Sequence, residues 1–401
     1  MAAEIPTAVR VPEPGAGLEL NLQDRYLRRN ALLLPAVIFL GVRALGVVVL
    51  TVFARLHDST LADRIAAWDG EWYLRIAADG YELGAFPDAF GRPNPFTPRA
   101  FFPGYPFVVR VFATVLPATA AAVVVSLIAG LCAAYGLARL GRIVRGGSRR
   151  AGCILVALFA ATPMSVVLTM AYTEALFCAL AVWTLVALLE RRWELAGMCC
   201  LAAGLVRSTA LALVVAVAVA VALALARRQD GGRPLVALAL APAGLIGYLW
   251  WTGMRVRPEA GFAAQLRTWS DLEWAGWLTR FDGGAATARF VFDVLTGVDS
   301  AMGVLTVAVV AGALIGLAVL AARRETVLLV YAAGTAVMAL GSSSLMHAKP
   351  RFLLPAFTIL VPAALALAKR RTGTVWWVCG GVSVASAWFG AFALTVWKYA
   401  I

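Results

Sequence analysis

The sequence predicts an all-α, polytopic membrane protein of about eleven transmembrane helices. Three observations carry that reading. Of the 401 residues, 62% are apolar and the mean hydropathy is +0.82, against about 45–50% apolar in soluble domains. Apolar runs recur from Ala31 to Val396, and about twenty such residues cross a ~30 Å hydrocarbon core. Most basic residues sit in short clusters between those runs, which is the positive-inside pattern. Segments inside lipid must satisfy their own backbone polar groups, so the spans are helices. The long Ala/Val/Leu runs lack the alternation of barrel strands. The net charge of +13 is therefore read as topology, with no nucleic-acid partner.

Residues 1–30 are polar, contain Pro and carry mixed charge, unlike a signal peptide. They read as a mostly disordered cytoplasmic tail in which Leu18 to Asn30 fits an interfacial helix. Residues 31–401 read as a single integral-membrane domain. Span one, about Ala31 to Arg55, follows Arg25, Arg28 and Arg29, so a loop of about 57–105 lies outside. The run Phe107 to Leu116 is too short to cross and carries Arg110. It fits either an interfacial helix or an extension of span two. Span two, about Thr119 to Arg139, returns to a basic cluster ending at Arg150. Span three, about Gly152 to Met170, leads out to Tyr172-Thr173-Glu174, and span four returns to Glu190-Arg191-Arg192.

Leu195 to Val206 and Ser208 to Ala226 read as a hairpin with Arg207 at its outer tip. Span seven, about Leu235 to Met254, leads to a second outer loop of about 255–300. Trp269, Trp274 and Trp277 there fit an interfacial helix. Spans eight to eleven keep Arg323-Arg324 and Lys369-Arg370-Arg371 inside, Ser342 to Arg351 outside, and the C-terminus outside. By this topology the inner side holds 19 basic and 8 acidic residues, the outer side 15 and 14, an asymmetry that supports the orientation. No clear internal repeat is present, which weakens the common transporter architectures. The six cysteines lie inside apolar runs with no metal or redox spacing, and no His-Glu-x-x-His pattern occurs.

The candidate chemistry clusters at the outer face. Asp69 stands between Trp68 and Trp72-Tyr73. Partial desolvation there raises a carboxylate's basicity and favours a catalytic base. The other reading is a solvated acid in an aromatic belt. Glu71 faces away from Asp69 on a helix and shares its face on an extended turn. Glu71, Arg75 and Asp79 also fit a structural ion-pair run at i,i+4 spacing. Glu174, beside Tyr172, is costly so near hydrocarbon and so is functional or a helix cap. Arg207 faces a cavity or anion, or snorkels to the headgroups. His347, Lys349 and Arg351 form a cation cluster on the wrong side for topology. That placement fits a specific phosphate ahead of anionic lipid headgroups.

Four stretches together resemble a known family. Trp68-Asp69-Gly70-Glu71-Trp72-Tyr73-Leu74-Arg75-Ile76-Ala77 with Gly80-Tyr81 resembles the first outer loop of the PIG-V-like mannosyltransferases, members of the GT-C superfamily of polytopic glycosyltransferases. Tyr172-Thr173-Glu174-Ala175-Leu176-Phe177, Leu205-Val206-Arg207-Ser208-Thr209-Ala210 and Lys349-Pro350-Arg351-Phe352-Leu353-Leu354-Pro355 resemble its later segments, in the same order. Trp72-Tyr73 stands where the eukaryotic motif commonly has His-Phe. The Ala/Val/Arg-rich composition looks actinobacterial.

The resemblance implies a GT-C-like fold whose outer loops carry short interfacial helices. It implies transfer of mannose from polyprenyl-phosphate mannose to an acceptor hydroxyl, with inversion, at the outer face of the plasma membrane. Asp69 would be the base. Glu71, Trp72, Tyr73, Arg75, Tyr172, Glu174, Arg207, His347, Lys349 and Arg351 would bind substrate, with Lys349 and Arg351 on the departing phosphate. Phosphate leaves without help from a metal, so neither a metal nor another cofactor is expected. The partners are membrane lipid, the polyprenyl donor and a glycan, glycolipid or protein acceptor. Alternatives are a different lipid-phosphate-sugar transferase or ligase, and a lipid-linked-sugar transporter or flippase. The enzyme reading requires Asp69, Glu174, Arg207 and Lys349 to converge on one outward cavity.

Overall fold

A computed structural model describes residues 16–297 and 301–397, with side chains from Leu32 onward. Helix α1 runs unbroken over Ala16–Leu56, so the interfacial segment expected from Leu18 to Asn30 is the start of the first span's own helix. Residues 1–15 of the expected tail lie outside the described residues. The first long loop holds α2 (Leu61–Ile65), α3 (Asp69–Asp79), a hairpin of two-residue strands β1 (Phe86–Pro87) and β2 (Pro93–Asn94), and α4 (Gly104–Phe112). A capping box of Thr60 and Asp63 starts α2. The run Phe107 to Leu116 falls mostly in α4. It does not extend span two, because Pro117 separates it from α5 (Ala118–Ile143).

The chain continues through α6 (Arg149–Ala160), α7 (Glu174–Leu189), α8 (Trp193–Gly204), α9 (Ala210–Ala226), α10 (Arg233–Leu240) and α11 (Ala243–Val256). The second long loop holds α12 (Phe262–Trp277) and α13 (Ala285–Thr296). Then come α14 (Ala301–Ala322), α15 (Thr326–Leu340), the short α16 (Lys349–Leu353), α17 (Val361–Ala368) and α18 (Thr372–Thr395). The fold is all-α and polytopic. Among the described residues six helical segments are long and apolar enough to cross a membrane, and four more are apolar but shorter.

Several spans are broken rather than straight. The predicted third span is α6 followed by a turn and a 3-10 segment, Ser165–Leu168. The break exposes carbonyls inside the bundle, where each unsatisfied group is expensive. Arg43 of α1 answers them. Its guanidinium donates to the carbonyl oxygens of Ala160 and Ser165 and, at 2.8 Å, to Ser165 Oγ. The predicted seventh span is broken at Pro242 between α10 and α11. The tenth, Met346–Ala368, is a chain of short helical pieces around Pro350, Pro355 and Pro362.

The central layer is α5 against α6 and α7, with α8, α9 and α15 beyond, and α1 with α18 on the other flank. The basic links gather at one end and are laced together. Arg191 pairs with Asp230 at 2.6 Å and Arg233 with Glu194 at 3.1 Å. Arg323 Nη2 donates to Arg145 O at 2.7 Å. The two long loops lie at the opposite end. A separate apolar cluster of Tyr73, Ile76, Phe101, Tyr105, Val109 and Val125 seats α3 and α4 on the end of α5.

Candidate active site

Asp69 begins α3, and the turn that delivers it is strained. Trp68 has φ +54° and ψ −116°, a region that L side chains rarely occupy. Such strain persists where the surroundings over-determine it, often at functional sites. Gly70, next along, lies against Ala171, where an added Cβ would meet the Ala171 methyl at 3.5 Å. The first turn of α3 therefore sits on the segment that leads into Glu174.

Glu174 is the first residue of α7. Both acids thus occupy helix N-termini, where the macrodipole favours negative charge. Arg207 comes from the link between α8 and α9, and Arg351 from α16. These four side chains, from four distant segments, form one network. Arg351 Nη2 donates to Asp69 Oδ2, and Arg351 Nε donates to Glu174 Oε1 at 2.7 Å. Arg207 Nη1 meets the same Glu174 oxygen at 2.6 Å and donates to Thr173 Oγ1 at 2.8 Å. The Arg351 guanidinium also stacks over the Tyr172 ring, 4.6 Å from its centroid.

Exposure grades across the network. The Glu174 side chain is 0% exposed, Arg351 5%, Arg207 13% and Asp69 29%. Asp69 is therefore the acid that a ligand can reach, and Glu174 is the acid that holds the two cations. Arg207 Nη2 and Arg351 Nη1 find no acceptor among the described residues. Each leaves a guanidinium N–H for a ligand anion.

Over the cluster lies an aromatic wall. Trp72 stacks on Phe101 with centroids 5.4 Å apart and meets Trp277 edge-on at 6.2 Å. Tyr73 packs edge-on against Phe101, Tyr105 and Tyr172. The Pro-rich end of the first loop is tied down from several sides. Trp269 Nε1 donates to Ala100 O at 2.9 Å, the Tyr248 hydroxyl lies 2.7 Å from Phe101 O, and Gly104 N donates to Leu205 O at 2.8 Å.

Residues 48–224 match a family model described as mannosyltransferase (PIG-V). The matched family is the one that the motifs resemble. Three of the four resembling stretches, around Asp69, Glu174 and Arg207, lie inside the matched region; Arg351 lies beyond it. No curated protein matches the chain. Among solved structures, ArnT from Cupriavidus metallidurans bound to undecaprenyl phosphate is similar, with TM-score 0.52 and 18% identity over 86% of this chain and 62% of that one. The chain thus spans about three fifths of that structure's length. The oligosaccharyltransferase of Archaeoglobus fulgidus, in complex with Zn and sulfate, matches with TM-score 0.41 and 16% identity over 89% of this chain and 52% of that one. The likeness to ArnT bears out the all-α, polytopic fold.

The other expected site residues divide. Tyr172 and Tyr73 line the network, and Trp72 builds the wall above it. Glu71 and Arg75 do not enter. They are paired with each other at 3.7 Å on the outward face of α3, with 61% and 52% of their side chains exposed, as the helical spacing allows. Lys349 is turned away and fully buried. Its ammonium donates to Ala339 O at 2.7 Å, to Ser342 O, and lies 3.2 Å from Ser344 Oγ. It satisfies carbonyls at the end of α15 instead of a phosphate, so the expected convergence of Asp69, Glu174, Arg207 and Lys349 does not occur as predicted; Arg351, not Lys349, meets the other three. His347 packs edge-on against Phe290, and its Nδ1 is buried without a partner among the described residues.

One residue was missed in the sequence. Glu273 on α12 lies between Trp269 and Trp277, one helical turn from each, on the face that meets the first loop. Its carboxyl has no hydrogen-bond partner among the described residues. Burial pushes it up to about 8, Asp69 adds to the push, and Arg207 opposes it. An acid on an amphipathic outer helix carries no cost signal in sequence, which is why it was passed over.

Proposed function

We propose that this protein is a membrane glycosyltransferase that moves mannose from polyprenyl-phosphate mannose to an acceptor hydroxyl, with inversion, at the extracytoplasmic face. The observation that carries the reading is the meeting of Asp69, Glu174, Arg207 and Arg351 at one end of the bundle, opposite the basic links. The matched mannosyltransferase model supports the sugar, and the resemblance to ArnT with undecaprenyl phosphate bound supports a lipid-linked donor. The meeting of these charges at an end of the bundle supports an enzyme over a transporter, whose substrate sites lie near mid-membrane.

In this mechanism the acceptor oxygen attacks the mannosyl C1 from the face opposite the phosphate. The new C1–O bond forms as the old one breaks, and its electron pair leaves with the phosphate. The acceptor's proton passes to the Asp69 carboxylate. Arg351 holds Asp69 in place. The unpaired N–H groups of Arg207 and Arg351 face the phosphate charge, and one such donor is worth about 10²–10³ in rate. Trp72, Tyr73 and Phe101 exclude water from the sugar.

The test is mannose transfer by purified protein in liposomes, comparing wild type with Asp69→Asn at equal monodispersity. We expect transfer by wild type and a loss of about 10²–10⁴-fold in the variant. Equal rates would remove Asp69 as the base and point to Glu273. Absence of both transfer and donor binding would overturn the transferase reading.

A further inference from the structure

The basic end of the molecule is unevenly paired. On one side three of its cations are matched, Arg139 with Glu190, Arg191 with Asp230, and Arg233 with Glu194, while Arg227 and Arg228 have no acidic partner among the described residues. On the other side, Arg323, Lys369 and Arg370 have no acidic partner among the described residues, although each lies on a link packed against the next. The one acid there, Glu325, accepts from the backbone N–H of Arg145 at 3.1 Å. Arg323 Nη2 and Arg150 Nη2 are occupied by the carbonyls of Arg145 and Arg370.

Those three unpaired cations rim a cavity of about 470 Å³ between the ends of α14 and α17. Its wall is apolar, formed by Val319 of α14 and Leu365 of α17, with Gly146 of the α5–α6 link at its edge. Arg323 Nε is shielded from solvent and has no hydrogen-bond partner among the described residues. A buried guanidinium N–H left unpaired costs free energy unless an acceptor occupies the space. Helix C-termini and topology explain why cations gather at this end. They do not explain an apolar slot rimmed by three cations that have no acidic partner among the described residues.

We propose that this cavity binds the headgroup of an anionic phospholipid, with its phosphate on Arg323, Lys369 and Arg370 and its first acyl carbons along Val319 and Leu365. The slot lies at the ends of two membrane helices, where a lipid presents this pairing of phosphate and hydrocarbon. An Arg fork matches the singly charged phosphodiester, and Lys369 and Arg370 offer further donors to its oxygens. The site lies at the opposite end from the Asp69 cluster and does not depend on the sugar-transfer reading.

The experiment is lipid retention by full-length protein in detergent, read by native mass spectrometry. The probes are dioleoylphosphatidylglycerol, dioleoylphosphatidylcholine and inorganic phosphate. We expect one tightly held phosphatidylglycerol per chain, displaced neither by phosphatidylcholine nor by millimolar phosphate. Lys369→Gln with Arg370→Gln should weaken retention by about tenfold or more. Val319→Trp, which fills the slot and leaves the charge intact, should weaken it too. Arg227→Gln with Arg228→Gln, on another basic link, should leave it unchanged. Equal retention of the two lipids, full displacement by phosphate, or equal loss in the Arg227/Arg228 variant would each overturn the proposal. Any variant that loses monodispersity is replaced by Arg323→Lys. This substitution keeps the charge but removes the fork, and unchanged retention in it would overturn the Arg323 contact.

Discussion

Glu174 holds two guanidinium groups with a single oxygen, and its other oxygen is buried without a partner among the described residues. Removing it leaves two cations uncompensated. Breaking a buried pair from one side costs about 3–5 kcal/mol. Glu174→Ala should therefore unfold well below wild type in detergent, measured by tryptophan fluorescence. Glu273 makes the opposite kind of statement. Its carboxyl is raised to about 8, so the folded state binds a proton that the unfolded state releases near the ordinary glutamate value. Its contribution to stability is fully present at low pH, falls as pH rises above that ordinary value, and is gone above about 8. Glu273→Gln should flatten stability against pH across that window. In the proposed reaction Glu273 turns anionic above about 8 and repels the phosphate. The alkaline fall in wild-type rate should then be absent in Glu273→Gln. The same cost argument that found Asp69, Glu174, Arg207 and Arg351 in the sequence misassigned Lys349. A buried cation must have acceptors, but the chain alone does not say whether they belong to a ligand or to its own backbone.

At the scale of elements, the spans are short pieces joined by breaks, and close approach holds them in register. A Cβ on Gly244 would sit 1.9 Å from Leu201 O, and one on Gly204 would sit 2.5 Å from Leu245 N. The α8 and α11 backbones thus touch through two glycines, as small residues permit in membranes. Both clashes are with backbone, which cannot swing aside. Gly244→Val should lower the melting temperature and shift the protein toward aggregate in size-exclusion chromatography, whereas Gly247→Ala, with open space at its Cβ, should be tolerated. Hydropathy located these helices and their order. It could not locate the breaks at Ala161–Met164, because Arg43, the group that satisfies the freed carbonyls, is more than a hundred residues away.

Across the whole molecule, the two ends differ in kind. One gathers the basic links; the other carries both loops, the aromatic wall and the charged network. The orientation inferred from charge can be checked with an impermeant thiol reagent on intact cells, in a background with the six native cysteines replaced. A cysteine at Gly84, in the first loop, should label from outside. One at Gly146, in the α5–α6 link, should label only after permeabilisation. The reverse pattern would place the proposed chemistry in the cytoplasm.

The sequence by itself determined that the chain is helical, that it lies in a membrane, and which charges were too costly to be incidental. Those follow from composition, from run length and from the price of burying a charge in hydrocarbon, all local quantities. Only the tertiary structure decided which charges meet. It put Arg351 on Asp69 and Glu174, turned Lys349 into the end of α15, and laid Glu273 over the site from a loop two hundred residues away. Pairing is a property of distance in space, and a chain of broken helices sets those distances through packing that no single stretch records.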